Sequence, residues 1–167
     1  DVYKRQQLNQ FEIHFKELAD WNQRINLTSV VEYEEVQVKH FLDSLTALIG
    51  LPEGPSGNLR FLDVGSGAGF PGIPLQILNQ ETNLTLLEAT NKKASFLEHI
   101  VQLLDLDNTT VVCARAEDLG HDPQHRETYD VVFARAVASL TTLVELTLPF
   151  AVVGGHFIAH KRGDISK

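Results

Sequence analysis

Hydrophobic positions along the 167-residue chain change their period a third of the way in. In LNQFEIHFKELADW (8–21), Leu8, Phe11, Phe15 and Leu18 recur every three or four residues, which predicts a helix with one apolar stripe. NQRINLTSV breaks the pattern. A second helix is predicted at 33–49, where Val38, Leu42, Leu45 and Ile49 share a face. GLPEGPSGN (50–58) reads as a linker by its glycines and prolines. Beyond it lie short apolar runs of strand character: RFLDV (60–64), LTLLEA (84–89), TTVVCA (109–114), YDVVFA (129–134) and GHFIAH (155–160). Their starts are 20 to 26 residues apart, and NKKASFLEHIVQLL places Phe96, Leu97, Ile100, Val101 and Leu104 on one helical face. The apolar run 136–150 predicts a further helix ending near Pro149. Alternation at this spacing predicts an α/β fold with a parallel sheet covered on both faces. The division is a helical extension and linker, 1–58, before a core at 59–167.

Composition narrows the function classes. Hydrophobic residues make up 43% and charged residues 22%, the balance of an ordinary globular protein. No run is long enough to span a membrane, so no membrane partner is expected. A net charge of −8 counts against nonspecific nucleic-acid binding but leaves room for an enzyme with a local basic rim. The single cysteine, Cys113, excludes an internal disulfide and a CxxC zinc site; inside a predicted strand, it reads as buried core. The histidines show no metal-ligand spacing, so no metal is expected. A reducing, cytoplasmic setting and a monomer complete this picture. The chain has no methionine and reads as a fragment.

The stretch DVGSGAGFPGIPL (63–75) carries the chemistry. In a parallel α/β sheet, ligands bind beyond the C-terminal ends of the strands, where the loop after the first strand lies. Gly65, Gly67 and Gly69 allow close approach of a ligand to backbone N–H groups. GAGFPG also satisfies GxGxxG, so a dinucleotide has to be weighed. Asp63, directly before the glycines, suits an ammonium better than a pyrophosphate. Glu88, at the end of the second strand, suits a ribose diol. Together they favour S-adenosylmethionine, which carries an amino group, a sulfonium and a ribose. Ala116 and Glu117, after the third strand, stand where an adenine would lie.

The fourth strand ends in FARAVASL, without the polar-Pro-Pro-aromatic stretch of exocyclic-amine methyltransferases. Cys113 lacks the setting of a nucleophile. Arg135 stands at that strand end instead, with Lys161 and Arg162 after the fifth. Such cations suit guanine edges and RNA phosphates. An acceptor such as guanine N7, with a lone pair and no proton, requires no general base. Two other readings stay open on these residues: a dinucleotide-dependent oxidoreductase, and a noncatalytic RNA-binding module on the same fold.

NLTSV (26–30), VKHFLDSL (38–45), DVGSGAGFPGIPL (63–75), LLEATNKKASFL (86–97), ARAED (114–118), YDVVFARAVASL (129–140) and GGHFIAHKRG (154–163) together resemble the bacterial RsmG/GidB family. The resemblance implies a Rossmann-like class I methyltransferase fold. It also implies methyl transfer from S-adenosyl-L-methionine to guanine N7 in the 530 loop of small-subunit (16S) ribosomal RNA, on the RNA or the particle. Family cofactor contacts fall on Gly65, Phe70, Ala116, Glu117 and Arg135, and the acid positions of the general fold on Asp63 and Glu88. Asn26, His40 and Lys161 match polar positions on the RNA side of the cleft, His40 in a positioning role. HKRG departs from the family's usual Lys-Gly by the extra Arg162. The fold normally adds two further strands after the fifth, so the C-terminal strands are expected to be truncated.

Overall fold

The computed structural model describes residues 4–51, 58–135 and 139–160. Helix α1 spans Arg5–Asn22. A second helical stretch follows in four pieces: α2 (Tyr33–Val36), a wide π turn (Gln37–Leu42), α3 (Asp43–Leu45) and a 3₁₀ turn (Thr46–Gly50). The core then alternates β1 (Arg60–Val64), α4 (Gly72–Leu78), β2 (Asn83–Glu88), α5 (Asn91–Leu103), β3 (Thr109–Cys113), α6 (Ala116–Leu119), β4 (Tyr129–Arg135), α7 (Leu140–Thr147) and β5 (Ala151–His160).

All five strands are parallel, in the order β3-β2-β1-β4-β5. The order reverses between β1 and β4, which opens a crevice at their C-terminal ends. Strand pleating sends alternate residues to opposite faces and builds two cores. Phe61, Leu84, Leu86 and Phe133 meet α4, α5 and the N-terminal helices; Leu62, Val64, Leu87 and Val132 meet Leu119, Leu143 and Phe150 on the other side. The first cluster runs without a break from Phe11, Leu18, Val36 and Phe41 into the sheet.

Four expectations change. The buried face of α1 is Gln10, Phe11, His14 and Leu18, with Leu8 exposed, because the polar members find carbonyl partners in the core. In the second helical stretch, Val36, His40, Phe41, Ser44 and Ala47 face inward, whereas Val38, Leu42 and Ile49 are 59%, 56% and 85% exposed. That helix is turned by about half a revolution from the apolar reading. Cys113 ends an edge strand with its side chain exposed, its thiol donating to Asn91 Oδ1 at 2.9 Å. Strand β5 begins at Ala151: Gly154, with φ of +84°, accommodates a register shift opposite Tyr129/Val131 that a period-two pattern cannot reveal.

Candidate functional site

The loop between β1 and α4 lies at the switch point. Gly65, Gly67 and Gly69 adopt φ of +73°, +57° and +87°, the left-handed region that penalises a side chain. The chain then turns into α4, with Ile73 N donating to Gly69 O at 2.8 Å.

Two carboxylates bracket the loop. Asp63 is fully buried beneath it; Oδ2 accepts from Gly72 N at 3.0 Å, while Oδ1 has no hydrogen-bond partner among the described residues. Burial raises its pKa to about 7, against the pull of the Gly72 N–H and the positive charge of Arg135, while the negative charge of Glu88 adds to the rise. Glu88 stands at the loop's mouth, its Oε2 accepting from Gly67 N at 3.0 Å and its Oε1 from Thr90 N at 2.9 Å. Each of these oxygens keeps a lone pair beyond the bond described.

Arg135, at the tip of β4, meets the N-terminal helices. It donates through Nη2 to Lys39 O at 3.0 Å and to His40 Nδ1 at 2.6 Å, and stands 3.5 Å from Asp43 Oδ2. Its guanidinium carbon lies 5.6 Å from the centre of the Phe70 ring. An arginine only donates, so His40 Nδ1 is the acceptor and the ring proton sits on Nε2, 2.8 Å from Thr28 Oγ1. Thr28 Oγ1 also accepts from Val30 N at 3.1 Å, which ties the NLTSV loop to the cleft. Asn26 is exposed on that loop, which Asn22 secures by accepting from Leu27 N and Thr28 N.

Contacts thus bring Asp63 and Glu88 together at the loop of Gly65, Gly67 and Gly69, and Arg135 with His40 against Phe70 of the same loop. The Phe70 ring is buried between His14 and His40, stacked at 5.0 and 4.6 Å. Ala116 is half-buried at the start of α6; Glu117 is exposed, with Arg115 Nη2 at 3.7 Å from its carboxylate. Lys161 and Arg162 lie outside the described residues. Sequence reasoning missed Thr28, Asp43 and His160. Asp43 follows His40 by three residues, one helical turn on, and that spacing could have found it. His160, at the end of β5, has Nδ1 4.0 Å from Asp43 Oδ2. Its pKa is lowered by burial, with Arg135 acting the same way and Asp43 against it.

The strand order, the glycine loop at the switch point and the acids at two strand tips define the class I fold of S-adenosylmethionine-dependent methyltransferases. Solved structures share it: a precorrin-6y C5,15-methyltransferase from Geobacter metallireducens has a TM-score of 0.56 at 18% identity over 80% of this chain and 64% of its own. A SAM-dependent methyltransferase from Aquifex aeolicus has a TM-score of 0.53 at 21% identity over 81% of this chain and 78% of its own. Within that class, residues 7–166 match the model of GidB, the rRNA small subunit methyltransferase G family, and the chain belongs to this family. It is 54% identical over 161 residues to the ribosomal RNA small subunit methyltransferase G of Roseiflexus castenholzii, covering 96% of this chain and 68% of that protein. It is 52% identical over 161 residues to the protein of the same name from Dehalococcoides mccartyi, covering 96% and 67%.

Proposed function

We propose that this chain is the catalytic core of an S-adenosyl-L-methionine-dependent methyltransferase acting on guanine N7 in the 530 loop of 16S ribosomal RNA. The observation that carries the cofactor reading is the buried Oδ1 of Asp63, unpartnered among the described residues, beneath a glycine loop whose mouth holds a second carboxylate. Two acids there suit a cationic amino end and a ribose diol, and oppose a pyrophosphate. Asp63, Gly65, Gly67, Gly69, Phe70, Glu88, Ala116, Glu117 and Arg135 would hold the cofactor. When bound, it supplies an electrophilic methyl on a positively charged sulfur.

The chain's own task is alignment. His40 has one nitrogen accepting from Arg135 and the other bonded to Thr28, so it serves as a strut and leaves proton removal unassigned. That suits N7, which attacks through a lone pair and loses no proton. Holding acceptor and donor in line contributes on the order of 7–11 kcal/mol in favourable cases. Arg135, Asn26 and Lys161 are assigned to guanine and RNA contacts, with His40 positioning Arg135. The family match does not favour the oxidoreductase or the noncatalytic module. The reading includes a monomer working in the cytoplasm, where ribosomal RNA is modified; among the described residues no helix is long and apolar enough to cross a membrane.

The test offers labelled S-adenosylmethionine with 16S RNA, naked or in small-subunit particles, from cells lacking this methylation. Label at N7 of a 530-loop guanine is expected. Label absent from RNA, or tighter binding of NAD than of S-adenosylhomocysteine, would reject the proposal.

A further inference from the structure

The buried face of α1 carries a polar row that methyl transfer leaves unused. Gln7 Nε2 donates to Ile77 O at 3.0 Å and Leu78 O at 3.3 Å, and Gln10 Nε2 to Leu104 O at 2.7 Å. Those carbonyls end α4 and α5 and have no partner within their own helices. His14, one turn further on, reaches Ala68 O, inside the glycine loop, at 3.1 Å. A carbonyl only accepts, so Nε2 carries the proton and Nδ1 is left as a lone pair, fully buried and without a partner among the described residues. A phenylalanine or leucine would fill this apolar site but leave Ala68 O without its donor, so packing alone does not account for the imidazole.

The ring also backs Phe70. His14, Phe70 and His40 form a stack with interplanar angles of 21° and 20°, running from α1 through the loop to the π turn that contacts Arg135. We infer that His14 is a positioning residue for the cofactor loop: by holding Ala68 O and supporting Phe70, it keeps the loop in its ligand-accepting conformation, so that the N-terminal helix sets cofactor affinity. This rests on the glycine loop being the S-adenosylmethionine site. Without the donor, the loop populates other conformations, and apparent affinity falls by the fraction still competent.

The experiment measures S-adenosylhomocysteine binding by calorimetry, with methyl transfer at saturating RNA, in the full-length protein. His14→Phe keeps an aromatic ring and removes the donor. Its Kd for S-adenosylhomocysteine, and its KM for S-adenosylmethionine, are expected to rise about fivefold to tenfold, with kcat unchanged at saturating cofactor. His14→Gln, long enough to donate to Ala68 O, is expected to restore wild-type affinity. A His14→Phe protein that binds as tightly as wild type while its Tm falls would overturn the inference. Should His14→Phe fail to fold, His14→Asn, too short to reach Ala68 O, is compared with His14→Gln; equal affinities would likewise overturn it. Wild type failing to bind S-adenosylhomocysteine would instead sink the methyltransferase reading.

Discussion

Gly72→Ala probes the joint between sheet and cofactor loop. Gly72 opens α4 with an ordinary backbone, so alanine there carries no left-handed strain. Its Cβ would lie 2.6 Å from Leu86 Cδ2, 2.9 Å from Asp63 Oδ2 and 3.2 Å from Asp63 Cβ. Leu86 is fully buried in β2, and Asp63 cannot retreat without lengthening its 3.0 Å bond from Gly72 N. Overpacking of this kind costs about 1–3 kcal/mol, and weakening a buried bond adds about 1 kcal/mol. Better helix propensity returns at most about 1 kcal/mol. The net loss expected is roughly 1–3 kcal/mol. Gly67→Ala is the control: a Cβ there meets only Gly65 O, at 3.8 Å, but φ is +57°, so the expected loss is about 1 kcal/mol of backbone strain. Urea unfolding at pH 7.5 followed by circular dichroism would give both values. Gly72→Ala as stable as wild type, or less costly than Gly67→Ala, would refute the reasoning.

Stability against pH should separate two buried groups. His14, with its pKa lowered by burial to about 4, stabilises the fold above 6.5 and loses that contribution as pH falls towards 4. Asp63, raised by burial to about 7, contributes fully below 3.8 and loses that contribution as pH rises towards 7. Between pH 4.5 and 6.5 the two oppose each other. Relative to wild type, Asp63→Asn should therefore gain stability with rising pH and His14→Phe should lose it, each by up to about 1.4 kcal/mol per pH unit. Urea midpoints at three pH values would decide, and curves parallel to wild type would be the contrary result. Glu88→Gln sets an amide donor against Gly67 N or Thr90 N, so a loss of about 1–3 kcal/mol is expected, with at least about tenfold weaker S-adenosylhomocysteine binding by calorimetry. Arg135→Lys keeps the charge but cannot span Lys39 O and His40 as a planar fork, and kcat/KM for methyl transfer should fall about 100-fold; unchanged kinetics would remove Arg135 from the site.

The sheet was legible because parallel strands buried on both sides are written as continuous apolar runs, and the glycine cluster marks where the first one ends. Asp63, Glu88 and Arg135 could be placed at strand tips from those runs alone. The faces of the N-terminal helices could not. Gln10, His14, His40 and Ser44 are buried because their partners are Leu104 O, Ala68 O, Thr28 Oγ1 with Arg135, and His40 O. All but the last lie far along the chain or across a loop, and no hydrophobic period encodes them. The acid beside Arg135 was hidden for the same reason: Asp43 comes from the helical extension. Cys113 looked interior only because an edge strand carries the same residue types as a central one.

The glutamine contacts of α1 bear on how this scaffold could be re-engineered. Gln7 and Gln10 serve backbone oxygens at the ends of α4 and α5. A transplant cut at the glycine- and proline-rich stretch would therefore carry away raw helix ends and an unroofed hydrophobic layer. Anyone grafting this catalytic half onto a new recognition module has to move the first helix with it, since the apparent appendage is the floor on which the loop rests.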